Sequence, residues 1–600
     1  MISDRTRSTP EPVELNLKIN IWMPEETINL KQPHTAIGVE RGNNLKVLLL
    51  LALVSFAGIF LYSTFFGVYE DDYTETLTRI LQERTPEFLA GVIGDLQTAQ
   101  QGRPLSWALN RILDHPFRHS INLEYGYLAG WVIFTLNAYL IFTLLKKMLN
   151  QNAALVGALF LLLLPFDLSK PILMHRAFVY VSMTFLLVGL NLSKSGSRWL
   201  QWLAYPVAYL SLVTWEAFYL PFLFAPLLWF EKSKRWVIRA GLHVVIWMAI
   251  LGLTLLVRYL SGEDRVVALA GGGQGMLGKM LIAVLIGPAA AATATVTRPA
   301  EALFHAEPTS LLLGLVAAVA VFHFLATVKQ SPSVGPRPVD LKFLAAMVAG
   351  IAAVLFPYVL MYREGYFPPN TTIGRLSAVH APAEPGFCIL VSGFYFVMEH
   401  LLNRFRIVVN SLFAGFFGCL MAFSLHIQKT EYVEGWLAER EIWTQIRGLI
   451  PDVKEGMHVI VDVKDLPSSQ MFPPWWLVGA FASLKKLFVF PKAWQNPPTL
   501  ALLYSWCEYE KTADSVTLKE PSWRPDFWPT LRSGNFILLR EQNGELQRVD
   551  DPVEIFGITL APKPREPAPP LELTSLGRQL LRPKNSLDWP VLRGTFFFPK

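Results

Sequence analysis

Three carboxylates, Glu70, Asp71 and Asp72, stand side by side in VYEDDY, directly after an apolar run. Adjacent carboxylates repel, and the repulsion raises the proton affinity of one of them. Beside low-dielectric lipid the effect grows, and such a group becomes a base near neutral pH. A solvated loop acid would look the same by spacing alone, so the neighbours decide. In QGRPLSW, Arg103 precedes Pro104, which suits the first position of a helix, and its guanidinium can orient the acids or bind an anion. Glu216, in TWEAFYLPF, falls between two apolar runs, where an acid has a partner, a job or simple loop exposure. LPFDLSKPILMHRAF supplies Asp167, Lys170, His175 and Arg176 in another connection, where polarity is also ordinary. MYREGYFPPNTTIGRLSAVHAPAEPG carries Arg363, Arg375 and His380, a set that suits a lipid phosphate gripped by arginine, or plain headgroup contact. Asn370-Thr371-Thr372 matches a glycosylation sequon.

The elements that must position these groups are membrane helices. Of 600 residues 52% are hydrophobic and 17% charged, against about 25% charged in a soluble domain. Apolar runs near 45–66, 125–145, 152–166, 177–193, 199–214, 217–230, 238–260, 309–327, 343–362, 386–402 and 407–427 read as eleven spans. The first is expected to be an uncleaved start with no signal peptide. Lys146 and Lys147, Lys194 and Arg198, and Lys232, Lys234, Arg235 and Arg239 follow alternate spans, which places them in the cytoplasm. The run 278–297 is interrupted by Gly287-Pro288 and is read as re-entrant or interfacial rather than as a twelfth span. The acids, the loop 363–385 and the tail 428–600 then share the exoplasmic side.

The fold expected is mainly α: a cytoplasmic segment 1–44, a transmembrane bundle 45–427 with a first external loop 67–122, and an exoplasmic α/β domain 428–600. In the loop, Phe88, Leu89, Val92, Ile93 and Leu96 form an amphipathic helical stripe, and a second helix starts at Pro104. In the tail, EGWLAEREIWTQIRGLI reads as a helix, MHVIVDV as a strand, and NFILLREQNGELQRV as a hairpin turning at Asn543-Gly544. The Pro-rich stretch near 562–570 reads as a linker. Three cysteines, Cys388, Cys419 and Cys507, build neither a disulfide framework nor a zinc site. The net charge of +6 with basic residues at helix ends fits a membrane topology and not nucleic-acid binding.

DDY after the first span, GRPL in a long first external loop and the later LSLVTWEAFYLP together resemble the GT-C superfamily of integral-membrane glycosyltransferases. The likeness is to its protein-mannosyltransferase-like and serotype-converting glucosyltransferase-like members. The tail opening REIWTQIRGLIPDVKEGMHVIV is similar to that of uncharacterised bacterial relatives. The resemblance implies sugar transfer from a polyprenyl-phosphate donor to a glycan, lipid or protein acceptor on the exoplasmic face, in a bacterial inner membrane. It implies a first-loop acid as catalytic base, Asp71 or Asp72, and a late-loop arginine on the lipid phosphate, best matched by Arg375. Glu70, Arg103, Asp167, His175, Arg176, Glu216, Arg363 and His380 are the remaining candidates for substrate contact.

The chemistry agrees with that set. Glycosidases need a second carboxyl to protonate a poor leaving group. A lipid phosphate leaves as an anion, so one base and positive charge for the phosphate suffice. Inversion by single displacement is expected, with no cofactor; one acid cluster does not argue for a divalent metal. The competing readings are a lipid-linked glycan polymerase or ligase, which would not need the first-loop acid, a transporter or flippase, and a non-enzymatic scaffold. No internal repeat favours the transporter.

Overall fold

The computed structural model describes residues 34–69, 72, 76, 85–98, 102–115, 123–260, 275–327, 340–361, 367–369, 371, 374–462, 484–491, 493–494, 496, 498–503, 508–519, 529–543 and 545–581. The chain divides into a unit Met1–Lys46 and a unit Val47–Lys600. Of the first, only the start of helix α1 (His34–Ser55) is described. The second holds the helical bundle and the C-terminal strands.

Each run expected to span is helical. The bundle helices are α1, α4 (Glu124–Lys146), α5 (Gln151–Leu163), α6 (Ser182–Ser193), α7 (Arg198–Thr214), α8 (the segment Glu216–Leu228), α9 (Lys234–Leu260), α11 (Pro308–Thr327), α12 (Leu341–Leu355), α13 (Glu384–Leu401) and α14 (Arg406–Ile427). The connection between α1 and α4 contains α2 (Thr85–Thr98) and α3 (Pro104–Asp114), with Pro104 at the start of the second. Among the described residues nine helices are long and apolar enough to cross a membrane, and this is an integral membrane protein.

Contacts sort the helix ends into two sets. At one end Lys147 meets Asn191, Lys194 meets Leu228, Asn150 meets Glu399 and Asn152 meets Leu325. At the other, Tyr69 meets Tyr432, Asp72 meets Leu173 and Met174, Arg103 meets Glu216, and Leu168 meets Ser377. The first is the basic end and the second the acid end, and the helices run alternately between them.

Helix α10 (Met276–His305) is the run interrupted by Gly287-Pro288, and the pair does not break it. It does not turn back on itself as a re-entrant segment would. A proline removes one internal hydrogen bond, and packing along the helix holds the rest. Among the described residues α10 is anchored at the acid end, by Lys279 over the Phe367 ring, Gly287 against Tyr358, Arg298 donating to the Pro165 carbonyl at 2.9 Å, and Ala302 beside Leu168 and Phe423. Thirty residues make a rod about 45 Å long, so α10 runs across the helix ends, and it is also one of the nine helices long and apolar enough to cross a membrane.

Helix α15 (Glu434–Leu449) leads into the C-terminal region, where β1 (His458–Asp462) pairs in parallel with β2 (Thr499–Leu503) and β3 (Phe536–Gln542). Strand β3 turns at Asn543 into antiparallel β4 (Glu545–Val549). The helix, strand and hairpin stand where the sequence placed them; Gly544 lies outside the described residues. The Pro-rich stretch is not a free linker. Lys563 is buried, its N–H bonds the Phe536 carbonyl at 2.8 Å, and its ammonium reaches Asp452 at 2.5 Å, so the sheet holds one end of the stretch. Arg548 grips the same carboxylate with two bonds, 2.5 and 3.2 Å long.

Candidate functional site

The acid end is built around Asp72. After α1 the chain runs extended through Phe66–Tyr69, and the Asp72 N–H bonds back to the Tyr69 carbonyl at 2.9 Å. The Asp72 side chain is fully buried. One carboxylate oxygen accepts the Met174 N–H at 2.7 Å; the other accepts the Leu173 N–H at 3.0 Å and that of Tyr69 at 3.4 Å. Burial pushes this carboxyl up to about 7, against the pull of those N–H donors and of the Arg176 guanidinium. Asp72 therefore ties the connection between α1 and α4 to the one that carries Asp167, His175 and Arg176.

Arg176 completes the knot. Its guanidinium donates to the Leu173 carbonyl at 2.7 Å, the Gly126 carbonyl at 2.8 Å and the Asp114 carboxylate at 3.1 Å. Both partners of that ion pair are buried. Around it the Tyr127 hydroxyl bonds the Gly67 carbonyl at 2.7 Å, and the Tyr69 hydroxyl bonds the Tyr432 carbonyl at 2.9 Å. A side chain on Gly67 would overlap the Trp436 ring, with a Cβ 1.8 Å from it, so only glycine lets α15 approach here.

A second pair stands at the other end of α3. Arg103 grips Glu216 with bonds of 2.9 and 2.8 Å and lies over the Trp215 ring. Burial alone would raise the Glu216 carboxyl; the Arg103 guanidinium, with Arg258 behind it, reverses this and holds it at about 2. Gly102, at φ +66°, lets Arg258 in: a Cβ there would sit 2.1 Å from the guanidinium. Helix α3 is thus a strut about 16 Å long with Arg103–Glu216 at one tip and Asp114–Arg176 at the other.

Asp167 belongs to a third, deeper cluster. It accepts from the Ser169 N–H at 3.0 Å, the Ser169 hydroxyl at 2.7 Å and the Tyr180 hydroxyl at 2.7 Å, and the Glu384 carboxyl lies beside it. Ser377 links the cluster to the 3₁₀ helix Arg375–Ala383 through the Leu168 N–H at 2.9 Å. On that helix His380 is fully buried and meets the Tyr358 hydroxyl at 2.6 Å, while Arg375 stands half-buried at its start. Lys170 turns inward to the Leu161 and Leu162 carbonyls, capping the end of α5, and His175 is buried.

Asp72, Arg103, Asp167, His175, Arg176, Glu216, Arg375 and His380 therefore share one end of the bundle. Glu70, Asp71 and Arg363 lie outside the described residues, as do Asn370 and Thr372 of the sequon. Among the described residues no three of His, Cys, Asp and Glu converge as metal ligands would. A hollow of about 190 Å³, lined by Asn150, Glu399, His400, Asn403 and Arg406, lies at the basic end, away from the acids. Sequence reading missed Arg258, Asp114, Glu384 and the Tyr69–Tyr432 contact. For Arg258 a signal existed: a charge in the last turn of a helix that is uncharged from Val244 to Val257.

No protein-family model matches the chain, and no curated protein does. Among solved structures the chain is similar to ArnT from Cupriavidus metallidurans in the apo state, at 13% identity and a TM-score of 0.35, over 74% of this chain and 85% of that one.

Proposed function

We propose that this chain is a GT-C-type membrane glycosyltransferase. It moves a sugar from a polyprenyl-phosphate donor to an acceptor hydroxyl on the exoplasmic face. The observation that carries the proposal is the binding of Asp72. Both its oxygens are spent on backbone N–H groups, so it is a positioning residue, and the base is Asp71. In the reaction the acceptor O–H gives its proton to Asp71 as its oxygen bonds the anomeric carbon. The bond from that carbon to the phosphate oxygen breaks, and polyprenyl phosphate leaves with the electron pair, inverting the centre. Arg103, Arg258 and Arg375 stand at the acid end, and they hold the departing phosphate. Lysines and arginines at the ends of α4, α6 and α9 support a cytoplasmic basic end and hence an exoplasmic acid end.

The test is transfer from a panel of polyprenyl-phosphate hexoses by the full chain in nanodiscs. Asp71→Asn should lose about 100-fold or more in kcat, the usual weight of a general base, with its melting temperature unchanged. Full activity in Asp71→Asn would instead favour a lipid-linked glycan polymerase. Retention of the donor's anomeric configuration would contradict single displacement.

A further inference from the structure

The basic end holds a cluster that the transfer reaction does not use. Lys147 follows α4, Lys194 follows α6, and Lys342 lies in the first turn of α12. The Lys147 ammonium bonds the Asn191 carbonyl and side-chain oxygen, each at 3.2 Å, one turn before Lys194. The Lys194 ammonium bonds the Leu228 carbonyl at 2.5 Å, at the end of α8. Burial pushes Lys194 down to about 8, and the charges of Lys147 and Lys342 push it the same way. Among the described residues none of the three is paired with a carboxylate. Three ammonium groups carry nine N–H donors, and these contacts use three of them.

Like charges gathered with most donors unspent call for an anion. The depth of the site says which kind. Trp199 and Trp202, in the first turns of α7 just after Lys194, are 75% and 55% exposed, and exposed tryptophans at helix ends mark the headgroup layer. Basic pockets between membrane helices at that depth suit phospholipid phosphates. We propose that Lys147, Lys194 and Lys342 bind the phosphate headgroup of an anionic phospholipid. The lipid bridges α4, α6, α8 and α12 at the end opposite the acids. This site does not depend on the glycosyltransferase reading.

Binding of tetraoleoyl cardiolipin to the detergent-solubilised full chain, followed by native mass spectrometry, tests it. The triple variant K147Q/K194Q/K342Q should bind about 100-fold more weakly, at about fivefold per lysine. The control K232Q/K234Q/R235Q, at the same end, should bind as the parent does. The single variant K342Q, which removes no internal contact among the described residues, should lose about fivefold and guards against misfolding of the triple. Dioleoyl phosphatidylcholine should not compete, and inorganic phosphate should displace cardiolipin only far above the lipid's own concentration. Equal loss in triple and control would reduce the effect to general surface charge and overturn the proposal. Unchanged binding in the triple, or displacement by phosphate at matched concentration, would overturn it as well.

Discussion

At the acid end Arg176 is held by two carbonyls and Asp114, Arg103 grips Glu216 with two bonds, and Asp72 accepts three N–H groups. At the basic end Lys147 and Lys194 reach only carbonyl and amide oxygens, and Lys342 has no carboxylate among the described residues. These two clusters use charge for different purposes, although the basic end also holds the Arg406–Glu399 pair. Paired, buried charges fix the geometry of the loops that meet around Asp72. Ammonium groups without a carboxylate among the described residues stay available for an anion from outside. The C-terminal region follows the acid end: Asp452 is knotted to Arg548 and Lys563.

Breaking that contrast should cost most where the pairing is deepest. Arg176→Leu strands the buried Asp114 carboxylate, and chemical denaturation should register a loss of about 3–5 kcal/mol; an unchanged midpoint would mean that the knot carries no rigidity. Asp452→Asn should cost about 3 kcal/mol by taking from the buried Arg548 and Lys563 the carboxylate they share. Burial alone would raise the Asp452 carboxyl, but its bonds to Arg548 and Lys563 hold it well below the usual range. Its contribution is therefore present above about pH 4 and is lost as the pH falls further. Parent and variant melting curves should converge on acidification. Divergence would contradict the assignment.

Asp72→Asn sets an amide N–H against a backbone donor, and about 1–3 kcal/mol of stability should go, with a partial fall in transfer rather than its loss. Arg103→Gln sharpens the picture differently. It removes the main charge that holds Glu216 at about 2, so the acid limb of the transfer profile should move to higher pH. An unmoved limb would detach Glu216 from the reaction. Lys342→Gln should leave the unfolding free energy within about 0.5 kcal/mol of the parent, because no contact among the described residues leans on it.

Much of the scaffold could be read in advance. Pro104 announced α3, the stripe from Phe88 to Leu96 announced α2, and MHVIVDV announced β1, because periodicity and turn chemistry are local. The Arg103–Glu216 pair was not legible as a pair. Both residues stood out by type, but 113 positions separate them, and only tertiary packing says which acid an arginine meets. Composition placed Lys563 in a linker, while its binding to Asp452 is decided by the sheet. For α10, Gly287 and Pro288 read as a break; the surface it lies on keeps it whole. His380 stood out by type, but its burial against Tyr358 could not be read from the sequence.

A cryo-electron microscopy structure with a non-hydrolysable polyprenyl-phosphonate sugar bound tests the division of labour most directly. The phosphonate should lie at the acid end within hydrogen-bond reach of Arg103, Arg258 or Arg375, with the anomeric carbon facing Asp71 and the bonds from Asp72 to Leu173 and Met174 intact. A sugar headgroup seated among Lys147, Lys194 and Lys342, or one reached only by Asp72 after those bonds had opened, would contradict it.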